Sequence, residues 1–163
     1  MRPAVADLAD AAATTAAGAA LAGLVRGGDA IALVGDLGAG KTTLVAGLVA
    51  ALGGVASSPT FSLVNEYPPA HAGGLVVWHV DLYRLERAAE IEELGLDELL
   101  GDRRGIALVE WADRFDVMPR DHLRLELAHD AGGRRLALSG TGPRGHALAV
   151  ALATVLGTAG PRA

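Results

Sequence analysis

The stretch AIALVGDLGAGKTTLVAGLVAAL, residues 30–52, decides the fold. Its opening, AIALVG at 30–35, is a continuously apolar run of strand length, the pattern of a strand buried on both faces. Its second half, from Lys41 to about Leu52, reads as a helix that stops at Gly53-Gly54. Between them, Gly35-Asp36-Leu37-Gly38-Ala39-Gly40-Lys41-Thr42 meets the pattern G-x-x-x-x-G-K-[ST] at every fixed position. With 22 glycines, a single lysine and 12 serines plus threonines in 163 residues, chance supplies roughly 0.001 such matches. Strand, glycine-rich loop and helix together are the context a phosphate-binding loop requires.

Each residue type in the loop has a physical reason. The glycines let the backbone curl until successive N–H groups point inward at phosphate oxygens. The helix that begins at Lys41 adds the positive end of its dipole. Lys41 carries a compact ammonium on a slender stem, suited to the β and γ phosphates, and Thr42 offers a hydroxyl to Mg²⁺. Lys41 is the only lysine in the chain, and thirteen arginines fill every other cationic position. A guanidinium is planar and wide, so a closed cradle of amides excludes it and the lone lysine is retained for geometry.

Composition narrows the class. The chain is 51% hydrophobic and 20% charged, enough apolar content for one domain of 163 residues to bury its own core. There are no cysteines, which rules out disulfides, thiolate metal sites and cysteine nucleophiles and suits a reducing cytoplasm. A net charge of −5 argues against a protein that grips nucleic acid unaided, and DNA is not an expected partner. The pairs Arg103-Arg104 and Arg134-Arg135 read as solvated loop charges. The alanine-rich segment 11–25 follows Asp7 and Asp10, has no basic lead-in and is shorter than the roughly 20 apolar residues a bilayer needs. It reads as an amphipathic helix with Leu8, Ala12, Thr15, Leu21 and Leu24 on one face, in a soluble protein without a membrane partner.

The rest of the chain reads as a mixed sheet. FSLVNEY (61–67) and LVVWHVDLY (75–83) are strand candidates joined by seven turn-rich residues, too few for a crossover helix, so they pair antiparallel. Residues 86–100 space their leucines as a surface helix broken near Gly95. GIALVEW (105–111) is a second buried-type strand, and HLRLEL (122–127) and RRLALSG (134–140) alternate as a hairpin about Gly132-Gly133. A last helix covers about 146–156. The expected fold is α/β: a single phosphate-loop NTPase domain over 1–163, core about 8–140, with a mixed parallel and antiparallel central sheet flanked by helices.

Nucleotide hydrolysis needs a carboxylate for the metal and a group to orient water. Asp81 and Glu110 both end apolar runs, where strands deliver side chains to the ligand edge of an open sheet. Glu110 fits the metal role and Asp81 the water-orienting one. The five histidines show no metal-ligand spacing, and His79, inside a strand, reads as packing. Two other functions suit the same loop: a small-molecule kinase, though no arginine-bearing lid is visible, and a nucleotide-controlled switch with little catalysis. Guanine specificity through N-K-x-D is impossible when the only lysine is Lys41.

With these residues assembled, the chain resembles the bacterial TsaE (formerly YjeE) family, ATPases of tRNA threonylcarbamoyladenosine biosynthesis. GDLGAGKTT (35–43), SPTFSLVNEY (58–67), VDLYRL (80–85) and ALVEWADR (107–114) match its motifs in order, with the acidic EELGLDELL before the last, over about residues 8–140. The resemblance implies ATP and Mg²⁺ as ligands, with Asp36, Leu37, Gly38, Ala39, Gly40, Lys41, Thr42 and Thr43 at the nucleotide and Thr42 and Glu110 at the metal. It implies catalytic roles for Lys41, Asp81, Glu110 and Thr60, the last in a switch-like segment near the γ-phosphate. Trp111 falls beside the nucleotide, Thr14 and Gly18 mark the helix that meets the adenine, and Arg135 reaches the base from the late hairpin. It also implies association with the TsaB–TsaD heterodimer, with tRNA held mainly through that complex and little hydrolysis by the isolated chain.

Overall fold

The apolar run before the glycine loop is the central strand of a mixed sheet. A computed structural model describes residues 2–54 and 63–161. Its strands are β1 (Ala4–Leu8), β2 (Ala30–Val34), β3 (Val64–Tyr67), β4 (Val76–Asp81), β5 (Gly105–Glu110), β6 (His122–Asp130) and β7 (Gly133–Thr141). They form one seven-stranded sheet in the order β1-β7-β6-β2-β5-β4-β3. β2 lies parallel to both neighbours, β5 and β6, and β4 lies parallel to β5. The pairs β3–β4, β6–β7 and β7–β1 are antiparallel. The expected antiparallel pairing across the 68–74 connector is present, while the described part of that strand candidate begins at Leu63 and pairs from Val64.

Helices cover both faces. Against one, α1 (Ala11–Ala22), α2 (Lys41–Ala51) and α5 (Gly142–Val155) bury Leu21, Leu44, Leu48 and Leu152 on Ile31, Leu33, Leu108 and Leu125. Against the other, α3 (Ala88–Glu93) and α4 (Leu96–Leu99) bring Ile91 and Leu96 onto Ala32, Val80 and Val109. Alternation along each strand sends successive side chains to opposite layers, so both faces of β2 are apolar and all five of its residues are buried. The helix expected at 86–100 is two short helices divided at Gly95, as its sequence indicated. Among the described residues, no helix is long and apolar enough to cross a membrane.

Two sequence expectations need correction. Leu8 is not in the first helix but ends β1, an edge strand paired to β7. Ala12 and Thr15 are exposed, and the buried face of α1 is Thr14, Ala17, Gly18 and Leu21. The cause is a close helix–helix contact. A Cβ on Gly18 would lie 2.0 Å from the Leu44 carbonyl oxygen, and one on Gly47 would lie 2.1 Å from that of Thr15. Two glycines, one on each helix, let the backbones of α1 and α2 touch, and that contact rather than apolar contrast sets the rotation of α1. The β6–β7 turn is the second correction. Its centre is Ala131-Gly132, both with positive φ (44° and 87°), between the paired Asp130 and Gly133; this is the twist a two-residue hairpin favours.

At the end of the sheet away from the loop, Arg144 of α5 forks the buried Asp29 through Nε–Oδ1 (2.9 Å) and Nη2–Oδ2 (2.7 Å). A bidentate charged pair of this kind fixes orientation. It anchors the entry to β2, and the bond to Asp29 raises the Arg144 guanidinium above its ordinary pKa.

Candidate nucleotide site

The phosphate loop leaves β2 at the carboxyl edge of the sheet and turns into α2 through Gly40, whose φ of 110° only glycine adopts without strain. Because the N-cap is glycine, no side chain caps α2. The first-turn amides, whose donors a helix cannot satisfy internally, are left for an outside acceptor. Thr42 is exposed in that turn, Asp36 and Leu37 are exposed at the loop tip, and Ala39 is buried. Lys41 is 95% buried, at 5% relative exposure. Its ammonium folds back to donate to the carbonyl oxygens of Gly35 and Asp36, the latter at 3.0 Å. It also lies 4.6 Å from the centre of the Trp111 ring, within cation–π range.

The carboxylates arrive from the two strands beyond β2. Register places Leu33 opposite Glu110 and Asp81 opposite Glu110, so both acids stand at strand ends on the side of the sheet that carries α2. Asp81 accepts the Tyr83 backbone N–H at 3.0 Å and closes the turn after β4. Glu110 is buried, and its Oε1 lies 2.9 Å from Nε2 of His79. His79, expected to be packing, is therefore a buried hydrogen-bond partner of the proposed metal carboxylate. Its signal was present in the sequence as H-x-D: alternation puts His79 and Asp81 on one face, although only the β4–β5 register shows that Glu110 shares it.

Trp111 follows Glu110 with φ 61°, in the left-handed region. That conformation is uncommon for a bulky residue and turns the indole back over the loop. Tyr83 packs on it, with ring centres 5.1 Å apart, and the Arg114 guanidinium holds the Tyr83 carbonyl.

On the other flank of the loop a cavity of about 360 Å³ is lined by Asp10, Thr14, Gly38, Gly40, Thr43 and Arg134. Thr14 thus stands where the resemblance expects an adenine contact, while Gly18 is pressed into α2. The neighbouring arginines of β7 diverge, as adjacent strand residues must. Arg134 turns to the loop and donates to the carbonyls of Ala39 (Nε, 3.0 Å) and Gly38 (Nη2, 3.2 Å). Arg135 turns away, 2.6 Å from Asp130 and 3.8 Å from Asp7. Neither is the loop charge that its sequence suggested. The sequence reading missed Arg134 because residue type alone does not say which of two adjacent arginines faces inward. Thr60 lies outside the described residues.

Among the described residues no three histidine, aspartate or glutamate side chains gather to cage a metal. The oxygen donors expected at the metal, the exposed Thr42 hydroxyl and the buried Glu110 carboxylate, suit Mg²⁺, which dehydrates reluctantly and is held by one or two protein groups plus substrate phosphates.

Comparison with known proteins decides the lineage. The family model described as "Threonylcarbamoyl adenosine biosynthesis protein TsaE" matches residues 8–136. The chain belongs to the TsaE family. Curated members similar to it include one from Streptomyces coelicolor, 40% identical over 136 residues that span 78% of this chain and 90% of the relative. One from Nostoc sp. is 39% identical over 135 residues, 80% of this chain and 81% of the relative. Among solved structures, the crystal structure of YdiB from Bacillus subtilis superposes with a TM-score of 0.74 at 30% identity, covering 93% of this chain and 94% of that one. The expected α/β fold, a mixed parallel and antiparallel central sheet flanked by helices, is the fold observed, and the sheet has seven strands. The TsaE match contains the loop, Asp81, Glu110, Trp111 and both hairpin arginines, and stops before α5.

Proposed function

We propose that this chain is a Mg²⁺-dependent ATPase, one domain over residues 1–163, that supports the TsaB–TsaD complex in N6-threonylcarbamoyl modification of adenosine 37 in tRNA. One observation carries the nucleotide chemistry: an uncapped helix N-terminus with a buried lysine at its first position, and a buried carboxylate at the end of the strand adjacent to β2. Family membership supports the pathway. The α2 amides and Lys41 hold the β and γ phosphates, and Arg134 steadies the outward carbonyls of the loop. A trans peptide sets its N–H opposite its C=O, so fastening the Ala39 carbonyl outward aims the Gly40 amide into the cradle. Thr42 and Glu110 would hold Mg²⁺, which supplies charge neutralisation on the phosphate oxygens. Asp81 orients the attacking water, Thr60 adds a switch contact, and Trp111 packs beside the nucleotide. The base sits in the Thr14–Arg134 cavity, whereas Arg135, expected at the base, is turned to Asp130 and Asp7 and does not line it. The net charge of −5 suits a protein that meets partner proteins while they hold the tRNA, in the cytoplasm.

Reconstitution tests this. Unmodified tRNA, TsaB–TsaD and ATP should undergo many rounds of modification only when this chain is added. Equal turnover without it would refute the pathway role, and phosphate transfer to a sugar or nucleoside in coupled assays would favour a kinase. A second measurement addresses the metal side: Glu110→Gln should raise the Mg²⁺ concentration that promotes nucleotide binding by about tenfold. An unchanged metal titration removes Glu110 from the metal site.

A further inference from the structure

Among the described residues, His79 is a buried, chemically versatile side chain beside the Glu110 carboxylate that the proposed ATP hydrolysis leaves without a task. It stands on β4, flanked along the strand by the buried Trp78 and Val80, at 5% exposure. Its Nε2 lies 2.9 Å from Glu110 Oε1, and Glu110 is 4% exposed. With Glu110 as a carboxylate, which only accepts, Nε2 carries the hydrogen of that bond.

We propose that His79 is a positioning residue for the metal-side carboxylate: its Nε2–H fastens Glu110 by one oxygen and presents the other to the phosphate loop. This rests on the Mg²⁺–nucleotide reading of the site. Two features point to it. Among the described residues His79 is the only hydrogen-bond partner of the Glu110 side chain. A carboxylate has about four acceptor positions, so a single donor leaves it equipped to take a cation. The second feature is rigidity. Both residues stand on a continuous parallel ladder, with His79 opposite Leu108 and Asp81 opposite Glu110, so the imidazole is set by strand register rather than by a loop. A merely structural residue in this apolar layer would be served as well by leucine, because a buried polar group confers no stability over a well-packed apolar one. Groups that orient a metal ligand from behind commonly change metal affinity ten- to a hundredfold.

The experiment is calorimetric binding of a non-hydrolysable ATP analogue to the full chain, across Mg²⁺ concentrations and in EDTA. His79→Leu should raise the half-effective Mg²⁺ concentration about tenfold and leave affinity in EDTA unchanged. His79→Gln, whose Nε2 reaches the same oxygen, should restore most of the wild-type midpoint. His79→Asn, too short to reach, should behave like His79→Leu, so the test does not hinge on one variant folding. In a Glu110→Gln background, His79→Leu should add no further shift. A wild-type midpoint in both His79→Leu and His79→Asn overturns the proposal, as does an equal loss of affinity with and without Mg²⁺. If Mg²⁺ has no effect on the wild-type chain, or Glu110→Gln leaves its effect intact, the metal-site reading itself fails and the role of His79 falls with it.

Discussion

Lys41→Ala is expected to lower affinity for ATP at least a hundredfold in calorimetric titration. The ammonium is buried at the start of α2 and held by two loop carbonyls. In the proposed nucleotide complex it would face phosphate charge in a site screened from water, where losing one partner of a buried charged contact costs about 3 kcal/mol. Each 1.4 kcal/mol is a factor of ten in affinity, which gives the hundredfold figure. Lys41→Arg is the sharper variant. It keeps the charge but asks a planar fork to fit between the Gly35 and Asp36 carbonyls and the Trp111 ring. At least a tenfold loss of affinity is expected. Wild-type binding by Lys41→Ala would refute the phosphate-loop assignment; wild-type binding by Lys41→Arg would refute only the steric account of the lone lysine.

Gly18→Val is expected to destabilise the fold by about 3 kcal/mol, the upper end for overpacking, and to lower the melting temperature by about 6–12 °C for a chain of this size. The added carbon would lie 2.0 Å from the Leu44 carbonyl oxygen and 2.9 Å from the Leu48 nitrogen. Both are backbone atoms, so no rotamer change relieves the overlap and the helices must separate. Ala19→Val, one position along on the exposed side of α1, isolates the cost of a β-branched residue in a helix, about 0.6 kcal/mol. If the two variants melt together, the backbone contact is not a determinant of stability. Because α2 begins with Lys41, Gly18→Val should also loosen nucleotide binding in proportion to how far α2 shifts.

Local chemistry was legible and long-range registration was not. The strand, loop and helix at 30–52, the antiparallel pair across residues 68–74 and the break at Gly95 each depend on a few adjacent residues. All three appear as read. β1 was missed because AVADL has little apolar contrast and pairs with β7 about 130 positions away. The face of α1 was misjudged for a related reason: alanine on every side leaves periodicity nothing to measure, and the decisive residue was the one with no side chain. His79 and Arg134 show the same limit at the site. Their residue types were plain, but their meaning lay in which strand stood beside β4 and which way β7 faced.

Under the proposed function, the coordination of Lys41 has a consequence for ligand choice. Its ammonium is coordinated by peptide oxygens and an indole face. An incoming nucleotide must exchange for those contacts, and the net gain is a difference between two well-coordinated states. A terminal phosphate chain long enough to engage the ammonium and the α2 amides together makes that exchange favourable, whereas a monophosphate displaces the same partners with too few oxygens to replace them. On the proposed ATPase reading, discrimination between AMP and its di- and triphosphate forms is set by what the lysine gives up.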